Sequence, residues 1–169
     1  EEEFAAFTGA RYCLAVASGG YALATALRAL EVGPGTKVLA NAFTLAPVPG
    51  AVASVGGEVV LVEITDDLVI DIDDLATKAK ATGARVLMLS HMRGHVCDMD
   101  RLMAACRDLG VTVIEDCAHT MGAFWDGVPS GRHGAIGCYS TQTYKHLNAG
   151  EGGLIVSDDA RLMAKMILL

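Results

Sequence analysis

Two rhythms of hydrophobic and polar positions alternate along this chain. Short, nearly unbroken apolar runs occur at Tyr12–Ala17, Lys37–Ala40, Glu58–Glu63, Arg85–Ser90, Val111–Glu115, Ala135–Ser140 and Leu154–Val156. Runs of this length, of which Glu58–Glu63 is rich in β-branched residues, predict strands buried on both faces. Longer stretches with the three-to-four-residue spacing of helices separate them: Gly19–Leu30, Leu45–Val55 (with Pro47 and Pro49 near its start), Ile72–Ala79 and Asp98–Leu109. Asp71 and Asp98 stand where N-caps are expected, and Gly110 where a helix stops. Glu1–Phe7 reads as the tail of an amphipathic helix. Asp158–Leu169 reads as a helix capped by Ser157 or Asp158. This β-α-β punctuation with short connections predicts one three-layer α/β domain.

Composition sharpens that picture. The 169 residues are 52% hydrophobic but only 5% aromatic, so Ala, Val, Leu and Gly do the packing. The net charge is -7 and no basic patch stands out, which argues against nucleic acid or an anionic membrane surface as partner. Cys13, Cys97, Cys106, Cys117 and Cys138 form no CxxC pair and are odd in number, as expected of reduced, buried thiols. No signal-peptide pattern and no membrane-spanning apolar run is seen, so a cytoplasmic setting is expected. Both ends read as cut from a longer chain.

In sheets of this kind ligands gather at the carboxyl ends of the strands, and three such ends carry chemistry. Ser18-Gly19-Gly20-Tyr21 opens a helix with bare amides, which suits an anion as well as it suits a plain turn. Asp116 and His119 follow the strand ending at Glu115. An aspartate there can face a cation, cap a helix or hold Mg²⁺. Lys145 stands in a hydroxyl-rich stretch after Ser140 and before Gly150-Glu151-Gly152-Gly153. Lysine forms Schiff bases with carbonyls when environment frees its amine, although most lysines are merely surface charges. The glycine-rich stretch is equally readable as a tight turn.

Together these motifs resemble the DegT/DnrJ/EryC1/StrS aminotransferases of the aspartate aminotransferase superfamily. The likeness runs through Asp116-x-Ala118-His119, Ser140, Lys145 and Gly150–Gly153. It extends to Gly33–Val38, Gly56–Val60, and His91–His95 with Asp98–Asp100. It implies the large pyridoxal-phosphate (PLP) binding domain of fold type I, an α/β/α sandwich with a mostly parallel seven-stranded sheet. That domain would occupy residues 1–169, with an N-terminal arm and a C-terminal small domain elsewhere. It implies that Lys145 forms the Schiff base, Asp116 pairs with the pyridine nitrogen, and His119 lies beside the ring and its phenolic oxygen. Ser140 and the amides around Gly19, Gly20 and Tyr21 would hold the phosphate. Leu45 stands where the family usually stacks an aromatic residue on the ring, and Gly20 where it usually has a hydroxyl. A lysine, rather than the histidine of the sugar dehydratase branch, stands at position 145.

The implied activity is ping-pong transamination from glutamate to a keto group, most commonly on a nucleotide-linked sugar, in a homodimer that shares its active site. Cyclitol ketones and the aminohydroxybenzoate-forming branch are further acceptors to weigh. Three rival readings stand beside it. One is a PLP-binding regulatory homologue without turnover. Another is a zinc protein using His91, His95 and Cys97 with His119 or His133, whose spacing is unlike paired metal ligands. The last is a nicotinamide oxidoreductase, which the missing GxGxxG opposes.

Overall fold

All seven apolar runs become strands of one sheet in the computed structural model, which describes residues 1–169. They are β1 (Tyr12–Val16), β2 (Lys37–Asn41), β3 (Glu58–Val62), β4 (Val86–Ser90), β5 (Thr112–Asp116), β8 (Ile136–Ser140) and β9 (Gly153–Ser157). Their spatial order is β1-β9-β8-β5-β4-β2-β3. Every neighbouring pair is parallel except those made by β9, which runs antiparallel to both β1 and β8.

Helices cover both faces. The helices α2 (Gly19–Ala29), α3 (Pro47–Ser54) and α6 (Ala160–Ile167) bury Leu27, Val52 and Met163 against Val38, Met88, Ile114 and Ile155. On the other face, α4 (Ile72–Thr82) and α5 (Met99–Leu109) bury Leu75 and Leu102 against Leu39, Leu87 and Val113. The side chains of β4 show why: Val86 and Met88 enter one core, Leu87 and Leu89 the other. The short α1 (Glu2–Thr8) packs Phe4 on Tyr139 at 5.0 Å, edge to face.

Several boundaries move for local reasons. The helix expected from Leu45 begins at Pro47, which takes the first-turn position where a missing N–H costs nothing. Residues before it form a turn in which the Asn41 side chain donates to the Phe43 carbonyl. The fifth strand runs Thr112–Asp116, one residue later than predicted, so Asp116 stays inside the ladder opposite Ser90. The last helix is capped by Asp159 rather than Ser157 or Asp158, because Asp158 is taken by the Arg11 amide and the Arg132 guanidinium. An unpredicted hairpin of β6 (Phe124–Trp125) and β7 (Val128–Pro129) turns on Asp126-Gly127, both at positive φ. The cysteines are unpaired, and all but Cys13 are buried. No helix is long and apolar enough to cross a membrane.

The antiparallel β9 decides where Lys145 sits. Ser140 ends β8 opposite Gly153, which begins β9. Residues 141–152 therefore leave and re-enter the sheet at one place, its carboxyl edge.

Candidate active site

That 141–152 loop is bound to itself. Thr141 N–H donates to the Gly152 carbonyl at 3.0 Å, Thr143 N–H to the Gly150 carbonyl at 2.9 Å, and Lys145 N–H to the Gln142 carbonyl at 2.8 Å. Its tip is exposed, with Tyr144 90% accessible, yet Lys145 turns inward and is half-buried. The start of α2 is wedged against the same edge. A Cβ on Gly19 would lie 2.8 Å from the Ser140 Cβ, and one on Gly153 would collide with the Ser18 carbonyl oxygen. Only glycine lets the helix start touch Ser140 this closely. Ser18 caps α2 by accepting the Tyr21 N–H at 3.1 Å, whereas the Gly19 and Gly20 amides, in the first turn, have no intrahelical partner.

Asp116 is fixed from two sides. Its Oδ1 accepts the Ala118 N–H at 3.1 Å, and its Oδ2 accepts the Ser90 hydroxyl at 3.1 Å. Ser90 is itself held: Thr44 donates to its Oγ at 2.9 Å, and the Asn41 amide accepts its N–H and donates to its carbonyl. An acceptor-only carboxylate commits the Ser90 proton, so the relay runs in one direction, Thr44 to Ser90 to Asp116. Across the site, His119 Nε2 lies 2.9 Å from Lys145 Nζ, and the Arg93 N–H donates to His119 Nδ1 at 3.2 Å. Burial and the adjacent Lys145 charge hold the His119 imidazole below its usual value, with Asp116 pulling the other way.

These groups line a cavity of about 470 Å³, counting its open mouth. Gly19, Gly20, Leu45, Asp116, His119, Ser140 and Lys145, singled out in the sequence, all reach it. Tyr21 does not; its ring is exposed and its amide engaged by Ser18. Leu23, Pro47, Val48, Met92 and Cys138 supply apolar walls. Sequence reasoning missed Ser90, although a serine closing an apolar strand beside the Asp116 strand is a readable signal.

The donor set fits PLP. A fixed carboxylate at one wall suits a protonated ring nitrogen, and a serine hydroxyl with free amides at a helix start suits a phosphate. An inward lysine amine suits an aldehyde, and apolar walls suit the ring between them. A zinc set does not form. His91, His95 and Cys97 are not brought together, and the one metal-spaced group is His91, Glu115 and Cys117. There both Glu115 oxygens are used, by His91 Nε2 at 2.9 Å and by the Gly131, His133 and Gly134 amides. Burial also pushes the Cys117 thiol up, away from the thiolate a metal needs.

Comparison with known proteins agrees with this geometry. Residues 1–169 match the DegT/DnrJ/EryC1/StrS aminotransferase family, for which PLP is the cofactor. The chain is 40% identical over 160 residues to 3-amino-5-hydroxybenzoate synthase of Amycolatopsis mediterranei, covering 94% of this chain and 41% of that protein. It is 38% identical over 158 residues to L-glutamine:scyllo-inosose aminotransferase of Streptomyces griseus, covering 93% and 37%. It superposes on the solved structure of 3-amino-5-hydroxybenzoic acid synthase with a TM-score of 0.93 at 36% identity, covering 99% and 44%. The aminotransferase from Psychrobacter cryohalolentis gives 0.93 at 32%, covering 99% and 42%. The chain thus spans about two fifths of the length of these relatives.

Proposed function

The chain belongs to the DegT/DnrJ/EryC1/StrS aminotransferase family, and from that premise we propose that residues 1–169 are the PLP-binding large domain of a transaminase that moves an amino group from glutamate to a keto group. The observation that carries this reading is the half-buried Lys145 amine facing His119 in a cavity that also presents Asp116. PLP bound there through Lys145 supplies an electron sink for carbon acids.

The chain's own residues then divide the work. Asp116, held by Ser90 and Ala118, keeps a fixed negative charge against the ring nitrogen. Ser140 and the Gly19 and Gly20 amides hold the phosphate. Leu45, on the loop before α3, covers the ring with apolar contact. With cofactor and amino donor in place, Lys145 Nζ, released from the cofactor by the donor's amine, would take the proton from the donor's Cα and deliver it to the cofactor's C4′ carbon. The acceptor runs the same steps in reverse.

A keto sugar carried on a nucleotide is the proposed acceptor, and ketones of the cyclitol and aminohydroxybenzoate kinds are its competitors in the assay. The second relative's name carries glutamine as donor, so both donors enter the same experiment. Exposed Tyr21, Leu45, Tyr144 and Leu147 crowd this edge of the sheet, which favours a homodimer closing each site with residues of its partner. Unpaired cysteines fit a cytoplasmic setting.

The test is an absorbance scan of the purified protein with PLP, followed by borohydride trapping and peptide mapping. A visible band that bleaches on adding glutamate or glutamine, and an adduct on Lys145, are expected. Lys145→Ala should lack both. A wild-type protein with neither band nor Lys145 adduct overturns the assignment. Amino transfer to a keto-sugar nucleotide distinguishes an enzyme from a silent binding homologue.

A further inference from the structure

Asn41 ends β2, is buried and does not line the cavity. Its side chain nevertheless satisfies three main-chain groups. The β2–β4 ladder stops at the pair Ala40–Met88. Beyond that point the Asn41 Oδ1 accepts the Ser90 N–H at 2.8 Å, and its Nδ2 donates to the Ser90 carbonyl at 3.1 Å and to the Phe43 carbonyl at 2.9 Å. The first two contacts prolong the ladder and fix the end of β4. The third closes the turn after β2, which brings the Thr44 hydroxyl within 2.9 Å of the Ser90 Oγ. One acceptor and two donors on so short a stem are found only in asparagine. Aspartate has the same shape but would set an oxygen against two carbonyls.

Proton count sets the direction of the hydroxyl contacts. Ser90 has one hydroxyl hydrogen, and Asp116 Oδ2, 3.1 Å away, takes it. Thr44 is therefore the donor in its contact with Ser90. The Ala118 N–H occupies Asp116 Oδ1, so the carboxylate is held at both oxygens and its remaining lone pairs keep one orientation. Without Thr44 the Ser90 hydroxyl is held at one end only.

We propose that Asn41 and Thr44 are positioning residues for Asp116: Asn41 aligns two hydroxyls into a one-way donor chain, Thr44 to Ser90 to Asp116, which sets the carboxylate against the nitrogen of a pyridine ring. This deepens the PLP reading and rests on it for the identity of the ring; the donor chain belongs to the protein alone. Neither Asn41 nor Thr44 lines the cavity, so Thr44 acts on a ligand only through what Asp116 touches. A ring without the nitrogen is blind to its loss.

Equilibrium dialysis against PLP and against its 1-deaza analogue, in which C–H replaces the ring nitrogen, reads that effect. Wild type should prefer PLP by about tenfold or more, the worth of a hydrogen bond to a charged group. Thr44→Val keeps the shape of a half-buried loop residue. It should shrink the preference about three- to fivefold while the analogue binds within about twofold of wild type, and Thr44→Ser should restore it. In an Asn41→Ala background, or Asn41→Ser should alanine fail to fold, Thr44→Val should change the preference no further. A further loss there overturns the part given to Asn41. Equal weakening of both ligands by Thr44→Val, or of neither, overturns the proposal, as does a wild type without preference. The donor chain is also tested without cofactor, by denaturant melts of Thr44→Val, Asp116→Ala and the double variant. Non-additivity of about threefold or more in the unfolding equilibrium constant is expected, and additive effects overturn the chain. A wild type that binds neither ligand while non-additivity is present removes the PLP reading and the use made of the chain, but not the chain itself.

Discussion

Adjacent residues in β5, Glu115 and Asp116, divide two jobs between them, because successive side chains on a strand face opposite ways. Asp116 reaches the cavity, whereas Glu115 enters the protein interior and organises it. Burial alone would raise the Glu115 carboxyl; His91 and the Gly134 and Gly131 amides outweigh it and hold the group below the usual glutamate range. The sign of the pH effect follows. A depressed carboxyl contributes stability that is complete above its unfolded value near 4.5 and is lost as pH falls through the lower folded value. Acid unfolding of wild type should therefore steepen below that point. Glu115→Gln should flatten this part of the curve and cost about 1–3 kcal/mol at neutral pH, because its side-chain NH2 would face buried backbone amides that the carboxylate accepts. Denaturant melts at several pH values check both. Ser90→Ala removes one of two donors from Asp116. It should weaken PLP binding by about tenfold or less, read by equilibrium titration, with Ser90→Thr restoring it. The sequence pointed to Asp116 by its place after an apolar strand. It was silent on Glu115, whose partners are mostly backbone amides 16 to 19 residues away, and amides leave no mark in residue type.

At the scale of elements, what could be read was what residue type controls directly. The apolar runs placed seven strands and the spaced stripes placed the principal helices, since both patterns follow from burial. What slipped were ends set by hydrogen bonds between distant segments. The start of α3 yields to a turn in which Thr44 serves Ser90, and β5 extends to Asp116 because β4 and β8 pair with it there. The Asp126-Gly127 hairpin was legible in principle, as a two-residue turn with both φ positive. The glycines at the head of α2 make a sharper case. Read as a pair of bare amides, Gly19 and Gly20 look equivalent, yet the packing around them differs. A Cβ on Gly19 meets Ser140 at 2.8 Å, while one on Gly20 finds nothing nearer than the Ser18 Oγ at 3.9 Å. Gly19→Ala should push α2 off the end of β8 and weaken PLP binding by about tenfold or more. Gly20→Ala should leave binding within about threefold, since its Cβ meets no steric obstacle. Titrating both variants with PLP decides it, and equal losses would mean that the close contact of α2 with Ser140 is not what shapes the phosphate site.

For the whole molecule, the cavity is a seam between the elements. Its lining comes from the start of α2, the loop before α3, the ends of β4, β5 and β8, and the Lys145 loop. These segments span most of the chain, from Gly19 to Lys145, and they meet at one edge of the sheet. A ligand that touches all of them favours the folded state globally rather than locally. At a free concentration of a hundred times its dissociation constant it adds about 2.7 kcal/mol, which for a domain of this size raises the thermal midpoint by about 5–10 °C. The order among variants is the decisive quantity. Lys145→Ala keeps Asp116, Ser140 and the helix start, so it should retain part of the shift while losing the visible band. Gly19→Ala should lose most of the shift while keeping the lysine. PLP also reacts with exposed lysines of the unfolded chain, which lowers every shift alike and leaves the order wild type, Lys145→Ala, Gly19→Ala intact. If calorimetry shows the same shift in all three proteins, PLP is binding somewhere other than this edge, and the carboxyl ends of the strands are not where the cofactor ties the fold together.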